Sequence, residues 1–526
     1  MQRADRGRQF PPFGVKGAVL TFFMCFFLFM SSGRLGSFDA GQQLGATVLA
    51  IETGHLGTAR PPNAVTWVPG PDGLYYEPHD LGAVLLMYPA TWIALKTAHV
   101  HGDEAARNPP LAARVGVALT YSLSSAIGCY FLFLLFAGFY SVREAFLISF
   151  AFAAGSFFLP YAKSAWDVLP CASAVCAFLY YAQRIARRET ALRVFVATGA
   201  WLAVACTFRY SIGPALLAAL AFVAWKSRAP WRGCASALAA FFVLLVPTFL
   251  YNVVRTGSFV VPATASDYYL HGLNAMDGNP LVGFAGLLFG PNRGLFIYCP
   301  ILLVALVLPS AWRELSAPQK RLIKGMLLGS LLYTLMISRM AHWGAFGWGP
   351  RYLLPFLPVF FLVAGPCLVH IARRSRPAAS VIVIAALAWN LAPATTNWHV
   401  PLAEYPGASL QESLHPYALE GSWTMLEYGL NGQPAVFALS DPAFALHDDG
   451  RRFPDFWTAR LIERAPLGTA AGWFIIAMLL AGMAAALRRI VPEVPEVPEV
   501  PEVPAPGRRP HTLGAPARAA MSDGVD

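Results

Sequence analysis

Charge is what this 526-residue chain has least of: Asp, Glu, Lys and Arg make up 13% of it, against 56% hydrophobic residues. Soluble domains carry about twice that charged fraction, so a soluble globular protein is excluded. Cysteine is scarce too. Its eight copies (Cys25, Cys129, Cys171, Cys176, Cys206, Cys234, Cys299 and Cys367) lie in or beside apolar runs, and no two form a CxxC pair. That spacing supports neither a disulfide framework nor a zinc site and fits small packing residues in a membrane interior. Acids are fewer than bases, 29 against 39, leaving a formal charge of +10. No nucleic acid is needed to explain that excess, because its position along the chain does. Also missing is a repeat of the kind that marks the inverted halves of a transporter.

What the chain has is a series of apolar runs of membrane-spanning length. They lie near 14–32, 115–139, 145–160, 168–184, 192–208, 210–225, 234–253, 296–311, 325–340, 353–371, 378–395 and 469–487. This predicts an all-α, polytopic membrane helical bundle of about 12–13 transmembrane helices. The first run follows a basic leader (Arg3, Arg6, Arg8, Lys16) and ends in Ser-Ser-Gly, a pattern shared by signal peptides and uncleaved anchors. The many spans behind it point to the anchor.

Basic clusters set the orientation. Arg184/Arg187/Arg188/Arg193, Lys226/Arg228/Arg232, Arg313/Lys320/Arg321/Lys324, Arg373/Arg374/Arg376 and Arg488/Arg489 fall between runs with few acids among them. Positive-inside places these clusters and both termini in the cytoplasm. Segment 81–98 would break the alternation if it crossed, and it carries Pro89 and Lys96. It reads as a juxtamembrane or half-inserted helix of the first outer loop. Three outer regions are then long: 33–114, 254–295 and 396–467. The repeat VPEVPEVPEVPEVP (Val491–Pro504) puts proline at every third position, which predicts an extended, disordered cytoplasmic tail over 490–526.

The stretch SGRLGSFDAGQQL leaves the first apolar run at Ser32. Leu44, Val48 and Ile51 share one helical stripe and Gly54 is placed to end the helix. Asp39 then falls at the N-cap, with Gln42 at capping-box spacing. A surface helix there also holds the Asp39 carboxylate near the headgroup level, and the two roles are compatible. Glu77, His79 and Asp80 cluster in YYEPHDLG. Asp80 reads as a second N-cap, and the trio as a weak site for a divalent cation.

Several cations mark the outer ends of spans. Lys163 and Asp167 in LPYAKSAWDVLP are spaced to pair with each other. Arg209 lies in FRYSIGP, Arg293 in GPNRGLF, and Arg339, His342 and Arg351 surround a Gly-rich aromatic turn. Any one of them alone reads as snorkelling to headgroups. Together on one face, with carboxylates in the first loop, they suggest a site for an anionic lipid headgroup, since guanidinium binds phosphate oxygens in a bidentate fork.

The order of SFDAGQQLGATVLAIETGHL, DGLYYEPHDLGAVLLMYPA, FRYSIGPALL, RTGSFVVP, GLLFGPNRGLFIYCPILL and WGPRYLLPFLP resembles the GT-C superfamily of integral-membrane glycosyltransferases. More narrowly it is similar to the bacterial relatives of protein O-mannosyltransferases and of the lipid A aminoarabinose transferase. The resemblance covers roughly 14–370, in consistent order. It implies a transmembrane catalytic domain over 1–395, an outer loop region of unknown role over 396–467, a last span over 468–489, and residence in the bacterial inner membrane.

The resemblance also implies roles. Asp39 matches the family's acidic residue, the catalytic base or acceptor contact. Relatives often have Asp-Glu there, whereas this chain has Asp39-Ala40, so a second acid would have to come from Glu77, Asp80 or Asp167, or be absent. Arg209 matches a basic residue near the carrier phosphate, and Arg351 a recurrent basic position, with Arg293 and Lys163 as further candidates for that phosphate. The donor implied is a polyprenyl-phosphate sugar, the acceptor a glycan, lipid or protein, and the surroundings membrane lipids. No cofactor is certain from it, a divalent cation is left open, and the lipid-linked sugar is the donor substrate. Direct attack at the anomeric carbon would invert it. The alternative from another class is a transporter or flippase of a lipid-linked glycan, binding without chemistry.

Overall fold

Apolar runs this long can satisfy their backbone hydrogen bonds in a bilayer only by closing them within each segment, and the chain does so with helices. A computed structural model describes residues 12–61, 67–97, 102–259, 276–341, 343–345, 347–398, 416–431, 454–462 and 465–491. His342 and the VPE repeat beyond Val491 lie outside the described residues. The helices begin with α1 (Phe13–Met30), α2 (Phe38–Thr53), α3 (Leu81–Leu95), α4 (Gly102–Arg107), α5 (Leu111–Ala137) and α6 (Val142–Ala154). There follow α7 (Phe158–Ala162), α8 (Val168–Ala186), α9 (Leu192–Phe208), α10 (Gly213–Ser227) and α11 (Trp231–Thr256). Pro280–Phe289, Ala317–Ser338, Leu357–Arg374, Arg376–Trp389, Tyr417–Leu430 and Ala465–Ile490 are the larger helices after them. Among the described residues 8 helices are long and apolar enough to cross a membrane, and four shorter apolar ones join them. The all-α membrane bundle expected from composition is what forms.

Two expected spans are broken. The run 296–311 is a helical turn over Leu295–Tyr298, a 3-10 stretch over Pro300–Val307 and a short helix over Leu308–Glu314. Pro300 and Pro309 each sit at the start of a new piece, where proline's missing N–H costs nothing. The run 145–160 stops at Gly155 after the 13 residues of α6. Helix α3 has only 15 residues, about 22 Å at the α-helical rise, which is shorter than a bilayer core.

Helices α5 and α8 form the middle of the bundle, α8 being buried along nearly its whole length. On one side α1 lays Phe22, Phe23, Phe26 and Phe27 against Phe146 and Phe150 of α6, with the Phe22 and Phe146 rings 5.0 Å apart edge to face. Such pairs add about 1 kcal/mol each to their burial. On the other, α9 packs closely on α11: a Cβ built on Gly199 would stand 1.9 Å from the Ala237 carbonyl, so only glycine fits that crossing. Between α2 and α3 a three-stranded antiparallel sheet, β1 (Gly57–Thr58), β2 (Val68–Pro69) and β3 (Tyr75–Tyr76), runs in the order β1-β3-β2 with Tyr76 opposite both Gly57 and Val68. The chain leaves β3 directly into Glu77.

Candidate functional site

Three connections at one end of the bundle converge because the backbone ties them together. The segment after α1 is stitched to the turn after α7: Ser32 N donates to the Lys163 carbonyl at 2.7 Å, and Ala165 N to the Leu35 carbonyl at 2.8 Å. That sets the start of α2 beside the start of α8, and so Asp39 near Asp167. The N-cap of α2 is Ser37, whose hydroxyl accepts from Ala40 N at 3.0 Å. This corrects the capping expected of Asp39, which sits in the first turn with its carboxylate left for other partners. Gly54 ends the helix in the left-handed region at φ 73°, as its position after the apolar stripe predicts.

Helix α3 abuts the end of α9. A Cβ on Gly82 would meet the Thr207 carbonyl at 2.7 Å, so glycine lets the start of α3 lie against Arg209. Asp80 precedes α3 but makes no capping bond to its own helix; its Oδ2 accepts from Tyr210 N at 3.0 Å. It therefore pins the α9–α10 corner. Arg351 arrives from a third direction, opening a 3-10 turn just after Gly349, which sits at φ 70°.

The side chains form one network. Arg351 Nη1 lies 3.3 Å from Asp39 Oδ2, and His79 Nε2 stands 3.6 Å from the same oxygen. The other ring nitrogen of His79, Nδ1, meets Glu77 Oε1, while Glu77 Oε2 accepts from His79 N at 3.0 Å. Glu77 itself is fully buried. Arg209 Nη2 lies 3.2 Å from Asp167 Oδ2. The Tyr352 ring sits under both guanidiniums, 5.2 Å from that of Arg209 and 5.7 Å from that of Arg351, and Trp166 lies 5.1 Å from Arg351 on another side. These rings fix the planes of the two cations.

The expected pairing of Lys163 with Asp167 does not occur. Lys163 turns away to Asp455 Oδ2 at 3.0 Å and to the Thr396 carbonyl, and Asp167 takes Arg209. Asp455 also holds Arg34 at 3.3 Å and Arg460, so Lys163 belongs to a buried clasp around residues 454–460. Arg293 is likewise turned inward, donating to the Ala345 carbonyl at 3.0 Å and to Asn292. Neither joins the Arg209–Arg351 pair. The Glu77, His79 and Asp80 side chains diverge, Glu77 toward the His79 ring and Asp80 toward Tyr210. Among the described residues no group of three His, Cys, Asp or Glu side chains is placed to hold a metal ion.

One residue of the network was missed from sequence. Arg255, at the end of α11 and fully buried, donates through Nη1 to the carbonyls of Glu77 at 2.9 Å and His79 at 2.7 Å, and through Nη2 to Asn252 at 2.7 Å. The Tyr251 ring is 3.8 Å away. A single arginine ending a span reads as snorkelling, and the carbonyls it holds are 176 and more residues away in sequence.

Electrostatics follow from this crowding. Burial pushes the Asp39 carboxyl up, but His79, Arg351 and Arg209 outweigh it and hold it below the ordinary value of 3.8. Burial likewise pushes His79 toward the neutral form, yet Glu77, Asp39 and Asp167 lift it to about 9. Asp80 goes the other way: burial raises it to about 6 against the pull of Arg255, the Tyr210 amide, Arg209 and His79. At neutral pH the network holds an ionised Asp39 and a cationic His79.

Two donors stand out. Arg209 Nε and Arg351 Nε are buried with no hydrogen-bond partner among the described residues. A buried charged donor left without an acceptor costs about 1–3 kcal/mol or more. Each belongs to a guanidinium paired with a different carboxylate, Arg351 with Asp39 and Arg209 with Asp167, and backed by the Tyr352 ring.

The molecule is thus a polytopic helical membrane protein with a partly buried network of charged side chains at one end of its bundle. No protein-family model matches the chain, and no curated protein matches it. Among solved structures, it is similar to ArnT from Cupriavidus metallidurans bound to undecaprenyl phosphate, with 16% identity and a TM-score of 0.49. ArnT from the same organism in the apo state aligns with 15% identity and a TM-score of 0.48, and each alignment covers 90% of this chain and 76% of the other.

Proposed function

We propose that this chain is a membrane glycosyltransferase that moves a sugar from a polyprenyl-phosphate donor to an acceptor hydroxyl at the outer face of a bacterial inner membrane. The observation that carries the reading is the pair of half-buried guanidiniums, Arg209 held by Asp167 and Arg351 by the ionised Asp39, whose buried Nε donors have no partner among the described residues. The series of motifs shared with GT-C enzymes supports it.

In this reading the acceptor O–H points at Asp39. Its other contacts fall on Oδ2, so Oδ1 takes the proton as the acceptor oxygen forms its bond to the anomeric carbon. The bond from that carbon to the phosphate oxygen breaks, and the electron pair leaves on the prenyl phosphate. Arg209 and Arg351 stabilise that growing charge, as preorganised donors in a water-poor site do. One displacement inverts the anomeric configuration. Asp167 holds Arg209 in place, and Glu77 with Arg255 fixes His79 against Asp39.

A flippase would bind the same lipid phosphate without breaking the bond. The described ionisable groups gather at the ends of helices, as in α8, where the 19 residues from Val168 to Ala186 carry Arg184 as their only charge. Ion-coupled transport calls for such groups within the spans, so this favours the transferase. The test is sugar transfer in membranes supplied with lipid-linked donor. Loss of transfer in Asp39→Asn with donor binding retained supports the reading, and near-normal transfer removes Asp39 as the base.

A further inference from the structure

A cavity lies far from the charged network, between the opposite ends of α8, α9, α10 and α11. Its volume is about 110 Å³ and its lining is wholly apolar, including Ile185, Phe195, Leu217, Ala221, Cys234 and Ala237. Asp167 starts α8 and Ile185 nearly ends it. The 19 residues of that helix separate the two sites by about 28 Å.

The cavity has a structural cause. Helix α11 packs along α9, whereas α10 packs on the Ala317–Ser338 helix, so α10 and α11 diverge from the short turn that joins them. Small side chains (Ala221, Ala224, Cys234, Ala237) face the gap and leave it unfilled. With no polar group in the wall, water gains nothing there and hydrocarbon does.

Its rim is cationic and aromatic. Arg188 and Arg193 flank the end of α8 and the start of α9, and Lys226, Arg228 and Arg232 flank the turn from α10 to α11, all exposed. Among the described residues none of these five has an acidic partner. The nearest acid, Glu189, is taken by Arg184 at 2.6 Å. Trp225 and Trp231 stand exposed on the same turn, with Lys226 3.7 Å from the Trp225 ring. Exposed tryptophans mark the headgroup level of a membrane. Arg188 and Arg228 sit at φ 63° and 55°, a backbone region that L residues other than Asn and Asp rarely enter. Both close helices that wall the cavity.

We infer that this cleft is a binding site for an anionic phospholipid of the leaflet opposite the Asp39 network, one acyl chain entering the cavity and the headgroup phosphate lying among Arg188, Arg228 and Arg232. The site stands independently of the transferase reading, since it shares no residue with it.

Native mass spectrometry of the purified full-length protein, titrated with phosphatidylglycerol and with phosphatidylcholine of the same chains, tests it. Phosphatidylglycerol is expected to bind about tenfold or more tightly, in line with the attraction of several basic side chains near a membrane surface. The Arg188→Gln/Arg228→Gln/Arg232→Gln variant, altered only at exposed positions, should bring it down to the phosphatidylcholine level. Ala221→Phe, which fills the cavity, should weaken both lipids. Equal affinity for the two lipids, or full preference retained in the arginine variant, overturns the site. So does displacement of phosphatidylglycerol by millimolar inorganic phosphate, which would mean that the chain contributes nothing.

Discussion

Asp39 and Arg351 are 312 residues apart in the chain, yet Oδ2 of one lies 3.3 Å from Nη1 of the other. The contact joins the first turn of a juxtamembrane helix to the entry of a late span. In the proposed transfer that one cation has two tasks, holding Asp39 ionised and meeting the leaving phosphate.

The first prediction concerns that base. Asp39→Asn keeps the shape and an acceptor oxygen but cannot take a proton. Transfer should fall by about 10²–10⁴, the usual contribution of a positioned general base, with the KM for donor nearly unchanged. Initial rates at several donor concentrations check the split.

Arg209→Ala and Arg351→Ala should both weaken donor use, each by about 10- to 100-fold, as loss of a charge-assisted hydrogen bond of about 1.5–3 kcal/mol implies. They should differ in one respect. Both lower the Asp39 carboxyl, but Arg351 is in contact with it and acts more strongly, so its removal should move the acid limb of the rate profile further upward. Arg351→Lys should restore that limb better than it restores donor affinity, because a point charge keeps the field but not the fork.

The pH dependence has two signed parts. His79 is raised from 6.5 to about 9, so its ion pairs contribute stability that is complete below pH 6.5 and lost as pH rises through about 9. Asp39 is lowered from 3.8, so its contribution is present above 3.8 and lost as pH falls below that. Activity and melting temperature should share a plateau between these limits. Glu77→Gln removes the largest charge that lifts His79, and should pull the alkaline limb downward in a pH series of rates and melting curves.

The clasp at Asp455 predicts a stability effect without a chemical one. One buried carboxylate holds Arg34, Lys163 and Arg460. Asp455→Ala strands buried cations, and breaking such a pair costs about 3–5 kcal/mol. A lowered melting temperature and faster proteolysis near residues 454–462 are expected, with the KM for donor little altered in the protein that remains folded.

Composition and hydropathy were enough to determine an all-α membrane protein, because a bilayer leaves the backbone no alternative to internal hydrogen bonding. The α9–α10 corner at Arg209 and the end of α2 at Gly54 were both legible as local signals of charge and glycine. Proline spacing predicts breaks, and the 296–311 run needed its two prolines weighted above its hydropathy.

Partner choice was not local. Lys163 and Asp167 are four residues apart and looked like a pair, yet each found a better partner across the bundle, one in Asp455 and the other in Arg209. Arg255 carries no sequence mark of its task, since the groups it holds are backbone carbonyls present at every residue. The N-cap went to Ser37 because the strap from Ser31 to Ser37 is fastened to the turn before α8, and that fastening frees Asp39. The sequence by itself determined which residues are charged in an apolar chain and at which helix ends they stand. Tertiary structure alone decided which carboxylate faces which cation, because in a buried site that choice is made by distances of a few ångströms between segments hundreds of residues apart.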